Sequence, residues 1–462
     1  MRFIYGLTVL LLFAPVSHAS DWPEFRGPFE NGHAAADDAP PAGLPLHWSE
    51  TKNVKWKTPI PYCGWSTPVV MGGQVWLTTA TEDGHDFFCL CLDTQTGRVR
   101  LNEKLFHADH PDPLGNSVNC YASPSPVIEP GRVYLSFGSY GTAYLDTATY
   151  KTIWRRTDLR CRHFRGPGSS PILFENLLIL TMDGADVQYL VALDKQTGET
   201  VWKTNRTTAW NDLNAEGEPD REGDLRKGFS TPIIVDLQGQ PMGQGDRHIL
   251  AGRPTHTMVA TKGPEKMSQS PAIKPILVSA GSKAIYGYDP RTGRELWKVH
   301  HGSHTAASRP IFARGLVMFV TGQGRPQLWA IRPDGKGDVS HSHVAWKSRS
   351  KTVCKLGSPV AVGDLLFLVS EDGMAACTEI ATGRELWKKR IGGHYCASPV
   401  YADGRLYFCN QEGKATVLKP GRSFQLLATN TLEDGCMASP AVSGRALYLR
   451  TKTHLYRIEA GK

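Results

Sequence analysis

The residues best suited to chemistry lie in eight short segments, each just before a small residue or arginine followed by proline. The segments span residues 62–65, 119–121, 160–165, 226–229, 300–304, 351–355, 394–396 and 435–437. They are rich in basic, cysteine and aromatic side chains. Cationic groups bind oxyanions and aromatic rings offer stacking surfaces, so this composition favours an anionic ligand. The candidate binding residues are Trp65, Tyr121, Arg162, His163, Phe164, Arg165, Lys227, His304 and Tyr395.

Residues 155–165 form the sharpest local concentration of positive charge. The segment contains five arginines and a single acidic residue, Asp158. Such a cluster can form an anion-binding edge, or it can be a solvated loop without a ligand. Both interpretations stay open.

Cysteine and histidine also allow a metal-site hypothesis, because both side chains are good metal ligands. The chain has ten cysteines, and His300, His301 and His304 lie close together. Their spacings match no compact ligand motif. This favours a structural interpretation, in which each cysteine is a small apolar residue where strands pack closely and the histidines are loop residues. We therefore predict no metal ligand, and the disulfide pattern stays open.

The short motifs that mark common catalytic sites are missing from the sequence. There is no G-x-S-x-G, H-E-x-x-H, P-loop or C-x-x-C pattern. No catalytic residue is predicted, and a binding function is favoured over an enzymatic one.

A nine-residue repeat dictates the elements that position the candidate segments. Its clearest copies are residues 194–202, 289–297 and 379–387, with the pattern Asp/Glu-x-x-Thr-Gly-x-x-x-Trp. The Asp or Thr side chain can bond the turn backbone, and glycine adopts a positive φ at little cost. Each copy predicts a strand, a tight turn and a second strand that carries a large aromatic residue.

A second repeat gives the number of units. A small residue followed by proline and an apolar pair opens seven units, and Arg309 takes the place of the small residue in an eighth; the eight positions are Thr67, Ser125, Ser170, Thr231, Arg309, Ser358, Ser398 and Ser439. The last three prolines are 40 and 41 residues apart, close to the period of a four-stranded propeller blade. The sequence therefore predicts an all-β fold, an eight-bladed β-propeller of four-stranded antiparallel blades.

The two ends of the chain predict one another. The eighth unit has only three strands, whereas the stretch around Trp56 looks like a last strand without its partners. An N-terminal strand that completes the last blade would close the ring and remove an exposed edge. The predicted propeller spans residues 53–462, with a surface insertion at residues 240–272 between the first two strands of blade four.

The N-terminal region predicts export. Residues 1–19 have the charged start, apolar core and small-residue cleavage site of a signal peptide. The apolar run is too short to span a bilayer. Residues 20–52 are predicted as an extended lead-in, attached to the body by Trp22 and Phe25. We expect a periplasmic or otherwise exported protein without a transmembrane segment.

Charge argues against nucleic acid as a partner. The formal charge of the 462-residue chain is +8, and removal of residues 1–19 leaves +7 because only Arg2 is lost. The surplus is spread along the chain, without the basic blocks of nucleic-acid binders.

Together the two repeats resemble the pyrroloquinoline-quinone-type (PQQ) repeat over residues 53–459. The heptapeptide WPEFRGP at residues 22–28 also resembles the lead-in of exported PQQ-like propellers of environmental bacteria such as planctomycetes. The resemblance implies that the repeat tryptophans dock between blades and are structural; they are Trp56, Trp154, Trp202, Trp297, Trp346 and Trp387.

Two functions follow from the resemblance. Quinoprotein dehydrogenases of this type bind PQQ and calcium at the ring centre, typically below a disulfide between adjacent cysteines, and this chain has no adjacent pair. BamB-type assembly factors keep the propeller without a cofactor and bind other proteins. We expect a non-enzymatic binding scaffold with a protein or small anionic ligand at the channel mouth. The alternative is a divergent PQQ-dependent oxidoreductase acting on alcohols or sugars, in which the basic mouth would bind the carboxylates of PQQ.

Overall fold

Eight antiparallel sheets, one for each predicted unit, form the β-propeller. The computed structural model describes residues 21–36, 39–115, 117–236 and 274–461. The predicted signal peptide and the predicted insertion at residues 240–272 lie outside the described residues. Buried apolar clusters fill the spaces between neighbouring sheets, so the core is distributed around the ring.

The strands follow one another around the ring in chain order. Blades one to four consist of β2 (Val69–Met71), β3 (Gln74–Ala80), β4 (Asp86–Asp93), β5 (Val99–His107); β6 (Val127–Glu129), β7 (Arg132–Ser136), β8 (Thr142–Asp146), β9 (Thr152–Arg156); β10 (Ile172–Phe174), β11 (Leu177–Asp183), β12 (Gln188–Asp194), β13 (Thr200–Asn205); and β14 (Ile233–Asp236), β15 (Pro275–Ala280), β16 (Ala284–Tyr288), β17 (Glu295–His300). A 3-10 helix, η1 (Asp220–Gly223), precedes β14.

The second half of the ring repeats this order. Blades five to eight consist of β18 (Ile311–Ala313), β19 (Leu316–Val320), β20 (Leu328–Ile331), β22 (Val344–Lys347); β23 (Val360–Val362), β24 (Leu365–Val369), β25 (Met374–Glu379), β26 (Glu385–Arg390); β27 (Val400–Ala402), β28 (Arg405–Cys409), β29 (Lys414–Leu418), β30 (Leu426–Thr431); and β31 (Ala441–Ser443), β32 (Ala446–Arg450), β33 (His454–Glu459), β1 (Val54–Pro59).

The acidic residue of the repeat closes the turn between the third and fourth strands, as predicted. In blade one the carboxylate of Asp93 accepts hydrogen bonds from the backbone N–H of Gln95 at 2.9 Å and of Thr96 at 2.8 Å. Gly97 follows with φ 70°. A Cβ on Gly97 would lie 2.6 Å from the Trp56 ring, so both the backbone conformation and the space require glycine.

The repeat tryptophans join neighbouring blades. The indole N–H of Trp154 in blade two donates to the carbonyl of Lys195 in blade three at 3.2 Å. Trp56, Trp202, Trp346 and Trp387 make the same contact with Thr94, Pro290, Ile380 and Gly421 of the next blade. Trp297 differs, because it is fully buried and its indole N–H has no hydrogen-bond partner among the described residues. These contacts confirm the predicted docking.

Strand β1 closes the ring by joining the last blade. It runs antiparallel to β33, with Trp56 opposite Arg457 and Thr58 opposite Leu455. The sheet order β1-β33-β32-β31 completes the eighth blade with the N-terminal strand. The predicted closure is confirmed.

Blade four has a fifth strand that the repeat did not predict. Strand β21 (Gly337–Asp338) leaves blade five and runs parallel to β17, with Gly337 opposite Trp297. It covers backbone groups at the outer edge of blade four. Two residues are too few to produce a periodic sequence pattern.

Asp183, the last residue of β11, takes part in a contact between blades three and four. Its carboxylate is buried and accepts hydrogen bonds from Nε of Arg206 at 2.8 and 3.0 Å. Arg206 in turn donates to Ser279 at 2.9 Å. This buried ion pair connects blade three to β15 of blade four, and the turn itself contains Gly184.

Residues 21–36, the first part of the predicted lead-in, cross one end of the central channel. They are called the lead-in segment below. Trp22 exchanges two backbone hydrogen bonds of 2.8 Å with Val70 in blade one. Two blades away around the closed ring, the N–H of Ala34 donates to the carbonyl of Tyr401 in blade seven at 3.0 Å. The lead-in segment is therefore bonded to the ring near both of its ends and is more than a surface attachment.

Side chains and carbonyls of the lead-in segment contact four further blades. The Pro23 carbonyl accepts the N–H of Ile128 in blade two at 2.8 Å. The carboxylate of Glu30 accepts from the backbone N–H of Ile234 in blade four and from the side chain of Arg309 in blade five. The guanidinium of Arg26 donates to the carbonyl of Pro359 in blade six. Because the first strands surround the channel, these contacts close this end of it.

Candidate functional site

A cavity of about 710 Å³ lies at the centre of the ring. Its wall is built from the segments that lead into the first strands, as predicted. Of the nine candidate residues, four line it: Trp65, Arg165, Lys227 and His304. Phe25 of the lead-in segment lines the same cavity, so the lead-in segment forms its base.

Seven of the eight residues before a repeat proline carry a hydroxyl group, and six of these hydroxyls accept a bond from the neighbouring blade. Ser125 Oγ accepts the N–H of Thr67, and Ser170 Oγ accepts the N–H of Ser125, both at 2.9 Å. The same 2.9 Å bond links the pairs Ser170–Thr231, Arg309–Ser358, Ser358–Ser398 and Ser398–Ser439. Each bond ties one blade to the next. An accepting hydroxyl keeps its own O–H, which can donate to a ligand in the cavity.

Arg309 replaces the hydroxyl residue in blade five. Its guanidinium is fully buried and donates to the carbonyl of Pro232 in blade four at 2.9 and 3.1 Å. It also lies 2.8 Å from the carboxylate of Glu30 and donates to the carbonyl of Phe25. The exception in the repeat therefore joins two blades and holds the lead-in segment.

A long connection between blades three and four delivers two charged wall residues. Residues 206–232 contain η1 and bring Asp224 and Lys227 to the cavity. The close approach of this connection to blade three depends on Gly223, where a Cβ would lie 2.1 Å from the carbonyl oxygen of Ala185. Glycine at this position sets the place of both charged side chains.

Asp224 lies between the two cations of the wall. Its carboxylate is 3.3 Å from Nε of Arg165 and in direct contact with the ammonium group of Lys227. Burial and the nearby Arg165 lower the pKa of Lys227 to about 7, and the carboxylate of Asp224 acts in the opposite direction. With Lys227 protonated, the three groups carry one net positive charge, which is less than the sequence indicated.

Phe164 positions the cations and does not line the cavity. Its ring centroid lies 5.0 Å from the guanidinium carbon of Arg165, 5.3 Å from Nζ of Lys227 and 5.6 Å from the guanidinium carbon of Arg162. Cations at this distance are attracted to an aromatic face. The stacking face predicted for a ligand is therefore occupied by the protein's own basic groups.

Arg162 and His163 lie outside the cavity wall. Arg162 is partly exposed and pairs with Glu222 at 2.8 Å. His163 is buried, with Nε2 3.2 Å from Sγ of Cys161. Burial lowers the pKa of His163 to about 4 and raises the pKa of Cys161. Both groups are therefore neutral near pH 7, and the pair is not an activated thiol.

Tyr121 and Tyr395 are buried behind the wall. The hydroxyl of Tyr121 donates to the carbonyl of Asp112 at 2.7 Å, and its ring packs edge-on against Phe87. Burial raises the pKa of Tyr395 to about 12. The predicted stacking role of Tyr121 is not met at this cavity, because its ring contacts the protein.

Trp65 and His304 offer polar groups at the wall. The indole N–H of Trp65 is buried and has no hydrogen-bond partner among the described residues. His304 Nδ1 lies 2.8 Å from the hydroxyl of Thr305, and burial lowers the pKa of His304. Trp65 is therefore a potential donor, and neutral His304 can donate or accept through Nε2.

Phe25, Asp224 and Glu371 are among the wall residues that the sequence reasoning missed. The carboxylate of Glu371 accepts the N–H of Lys355 at 2.5 Å and of Leu356 at 3.0 Å. Asp224 could have been found, since it lies three residues before Lys227. The position of Phe25 depends on the path of the lead-in segment, which no local pattern reveals.

The residues present do not fit PQQ with calcium. The described part of the chain contains no group of three or more His, Cys, Asp or Glu side chains placed to hold a metal ion. The two wall carboxylates, Asp224 and Glu371, are already bound by cations and backbone N–H groups. His300, His301 and His304 form no ligand triad, and His301 is buried. All ten cysteines are free thiols.

An eight-bladed ring with tryptophan docking and a central cavity defines the chain as a β-propeller of the PQQ-like repeat class. The sequence matches the family described as outer membrane protein assembly factor BamB over residues 46–240 and 270–462, and the chain belongs to that family. Comparison with curated proteins gave no match. No helix among the described residues is long and apolar enough to cross a bilayer.

Solved structures with the same fold include proteins of different function. A europium-containing methanol dehydrogenase is 10% identical, with a TM-score of 0.58 over 93% of this chain and 89% of that chain. BamB from Moraxella catarrhalis is 12% identical, with a TM-score of 0.52 over 87% of this chain and 99% of that chain. A computationally designed protein, Ika8, is 11% identical, with a TM-score of 0.53 over 86% and 96%. These identities establish the fold alone.

Proposed function

We propose that the protein is an exported, non-catalytic binding propeller that holds a small anionic ligand in its central cavity. The observation that carries this proposal is the set of hydrogen-bond donors that the wall presents to the cavity. Lys227, Arg165 and the indole N–H of Trp65 are donors, and the hydroxyl ring adds further O–H groups. The wall carboxylates already accept from the protein. A ligand rich in acceptors, such as a carboxylate, complements this set.

Cavity size and charge support the same class of ligand. A volume of about 710 Å³ lies in the range typical of small-molecule sites. With Lys227 protonated, the charged wall residues are Arg165, Lys227 and Lys355 against Asp224 and Glu371, a surplus of one positive charge. A single anionic head group balances that surplus.

The oxidoreductase alternative receives less support. It requires a calcium ligand set beside the cofactor, and the described wall carboxylates are engaged in other bonds. Titration of the purified protein with PQQ and calcium, followed by a dye-linked oxidation assay with alcohols and sugars, separates the two functions. Binding with turnover would overturn our proposal.

Variants of Lys227 and Arg165 test the ligand site. Calorimetric titration with 1-naphthoate, a rigid aromatic carboxylate, should detect binding to the wild type. Lys227→Met and Arg165→Met should each weaken it about tenfold or more, because a charge-assisted hydrogen bond is lost. Arg162→Met is the matched control, since Arg162 lies in the same segment but outside the wall. Equal losses in the Arg162 and Arg165 variants, or no wild-type binding up to about 1 mM, would contradict the proposal.

A further inference from the structure

We propose that the lead-in segment is part of the ligand site: it makes the channel a cup with one mouth, and Phe25 sets the depth to which a small oxyanion ligand enters. The inference rests on the proposed function, since it concerns the ligand of the same cavity. It excludes a ligand that threads through the ring.

The lead-in segment is held firmly enough to serve as a floor. Its backbone bonds to Val70, Ile128 and Tyr401 join it to blades one, two and seven, and the Phe25 carbonyl accepts from Arg309 of blade five, which lies opposite blade one. Arg26 adds bonds to the Pro359 carbonyl at 2.8 Å and to the Pro399 carbonyl. A segment fixed to this many first strands leaves no passage along the axis, so ligand exchange takes place through the opposite mouth.

Phe25 is the lead-in side chain that faces the cavity. It lines the cavity together with Lys227 and Trp65, whereas Phe29, another phenylalanine of the lead-in segment, does not. The guanidinium carbon of Arg309 lies 5.9 Å from the centroid of the Phe25 ring, and Arg309 also donates to the Phe25 carbonyl. The buried Arg309 thus holds the ring and the backbone of Phe25 in place.

The chemistry of the cup defines the class of ligand. Phe25 supplies an apolar base, the hydroxyl residues Ser125, Ser170 and Thr231 line the same cavity, and Lys227 provides the buried cation. A small molecule with an oxyanion head and a flat apolar body can satisfy all three features. A smaller or larger side chain at position 25 should therefore change which size of aromatic carboxylate binds most tightly.

The test uses the full chain and three aromatic carboxylates of increasing size: benzoate, 1-naphthoate and 9-anthroate. Calorimetric titration should show that Phe25→Ala shifts the preference toward 9-anthroate over benzoate by about tenfold, because removal of the floor ring admits a larger body. Phe25→Trp should shift it in the opposite direction. Phe29→Ala is the matched control and should keep the wild-type order.

The outcomes separate this inference from the proposed function. If the wild type binds a probe, Lys227→Met weakens it and the Phe25 and Phe29 variants behave alike, the floor role is wrong while the cavity site stands. If no probe binds the wild type, both fail. The small-molecule assignment would also be overturned by an extended peptide that binds tightly, loses affinity in Lys227→Met because its C-terminal carboxylate needs Lys227, and keeps its affinity in Phe25→Trp. A shift confined to the two Phe25 variants supports the inference.

Discussion

The guanidinium of Arg309 lies 2.8 Å from the carboxylate of Glu30, and both side chains are buried. This contact joins the propeller ring to a segment 279 residues earlier in the chain. Of the eight residues that precede a repeat proline, Arg309 is the one that is not small. The departure from the repeat therefore marks the place where the ring holds its lead-in segment.

Breaking this pair should be strongly destabilising. Arg309→Met leaves the carboxylate of Glu30 buried without its cation, which costs ~3–5 kcal/mol in comparable buried pairs. Urea unfolding of the wild type and the variant measures the loss. The double variant Arg309→Met, Glu30→Gln removes both charges and should recover part of the stability. A single variant as stable as the wild type would contradict the role assigned to Arg309.

Ring closure predicts an effect at Trp56. Its indole donates to the Thr94 carbonyl at 2.9 Å and its ring packs on Gly97. Trp56→Ala removes this contact between the last and first blades and should cost ~3 kcal/mol of unfolding free energy. Lys55→Ala, an exposed position on the same strand, is the control and should change stability little. Equal melting curves for the two variants would argue against closure through Trp56.

Cys63 should be the most reactive thiol of the chain. A hydrogen bond from Cys120 and, more weakly, the charge of Arg450 lower the pKa of Cys63, and its side chain is partly exposed. Cys396 is partly exposed too, but burial raises its pKa to about 12. Iodoacetamide labelling at pH 7, followed by peptide mass spectrometry, should modify Cys63 first. Faster labelling of Cys396 would show that the thiol environments are assigned wrongly.

His163 predicts a loss of stability in mild acid. Burial lowers its pKa from the ordinary 6.5 to about 4, so the folded protein holds it neutral. The unfolded chain binds a proton there below about pH 6.5, and stability falls as the pH decreases from 6.5 toward 4. His163→Gln should flatten the pH dependence of the urea midpoint in this window. An unchanged slope would show that His163 does not contribute.

The repeat predicted the fold because its chemistry is local. The Asp93 turn, the small residues before proline and the tryptophan spacing each describe contacts within one unit or with the next. Eight blades and the closure by β1 follow from counting these units. Strand β21 and the buried partner of Asp183 were not predicted, because each depends on a contact between distant parts of the chain.

The candidate site was predicted only in outline. Arg165 and Lys227 reach the cavity because they directly precede first strands, which the sequence places at the mouth. Asp224 neutralises part of their charge, and the order of side chains within the 160–165 segment sends Arg162 outward and His163 into the core. Phe25 reaches the cavity through the folded path of the lead-in segment, which depends on tertiary contacts.

Anomalous diffraction from crystals soaked in 4-bromobenzoate tests the central claim most directly, because the bromine position reports where and how an aromatic carboxylate binds. We predict a bromine peak inside the cavity, with the carboxylate on Lys227 and the ring approaching Phe25, and no such peak in the Lys227→Met variant. Bromine peaks confined to the outer surface of the blades, or a cavity peak that persists unchanged without Lys227, would contradict the account.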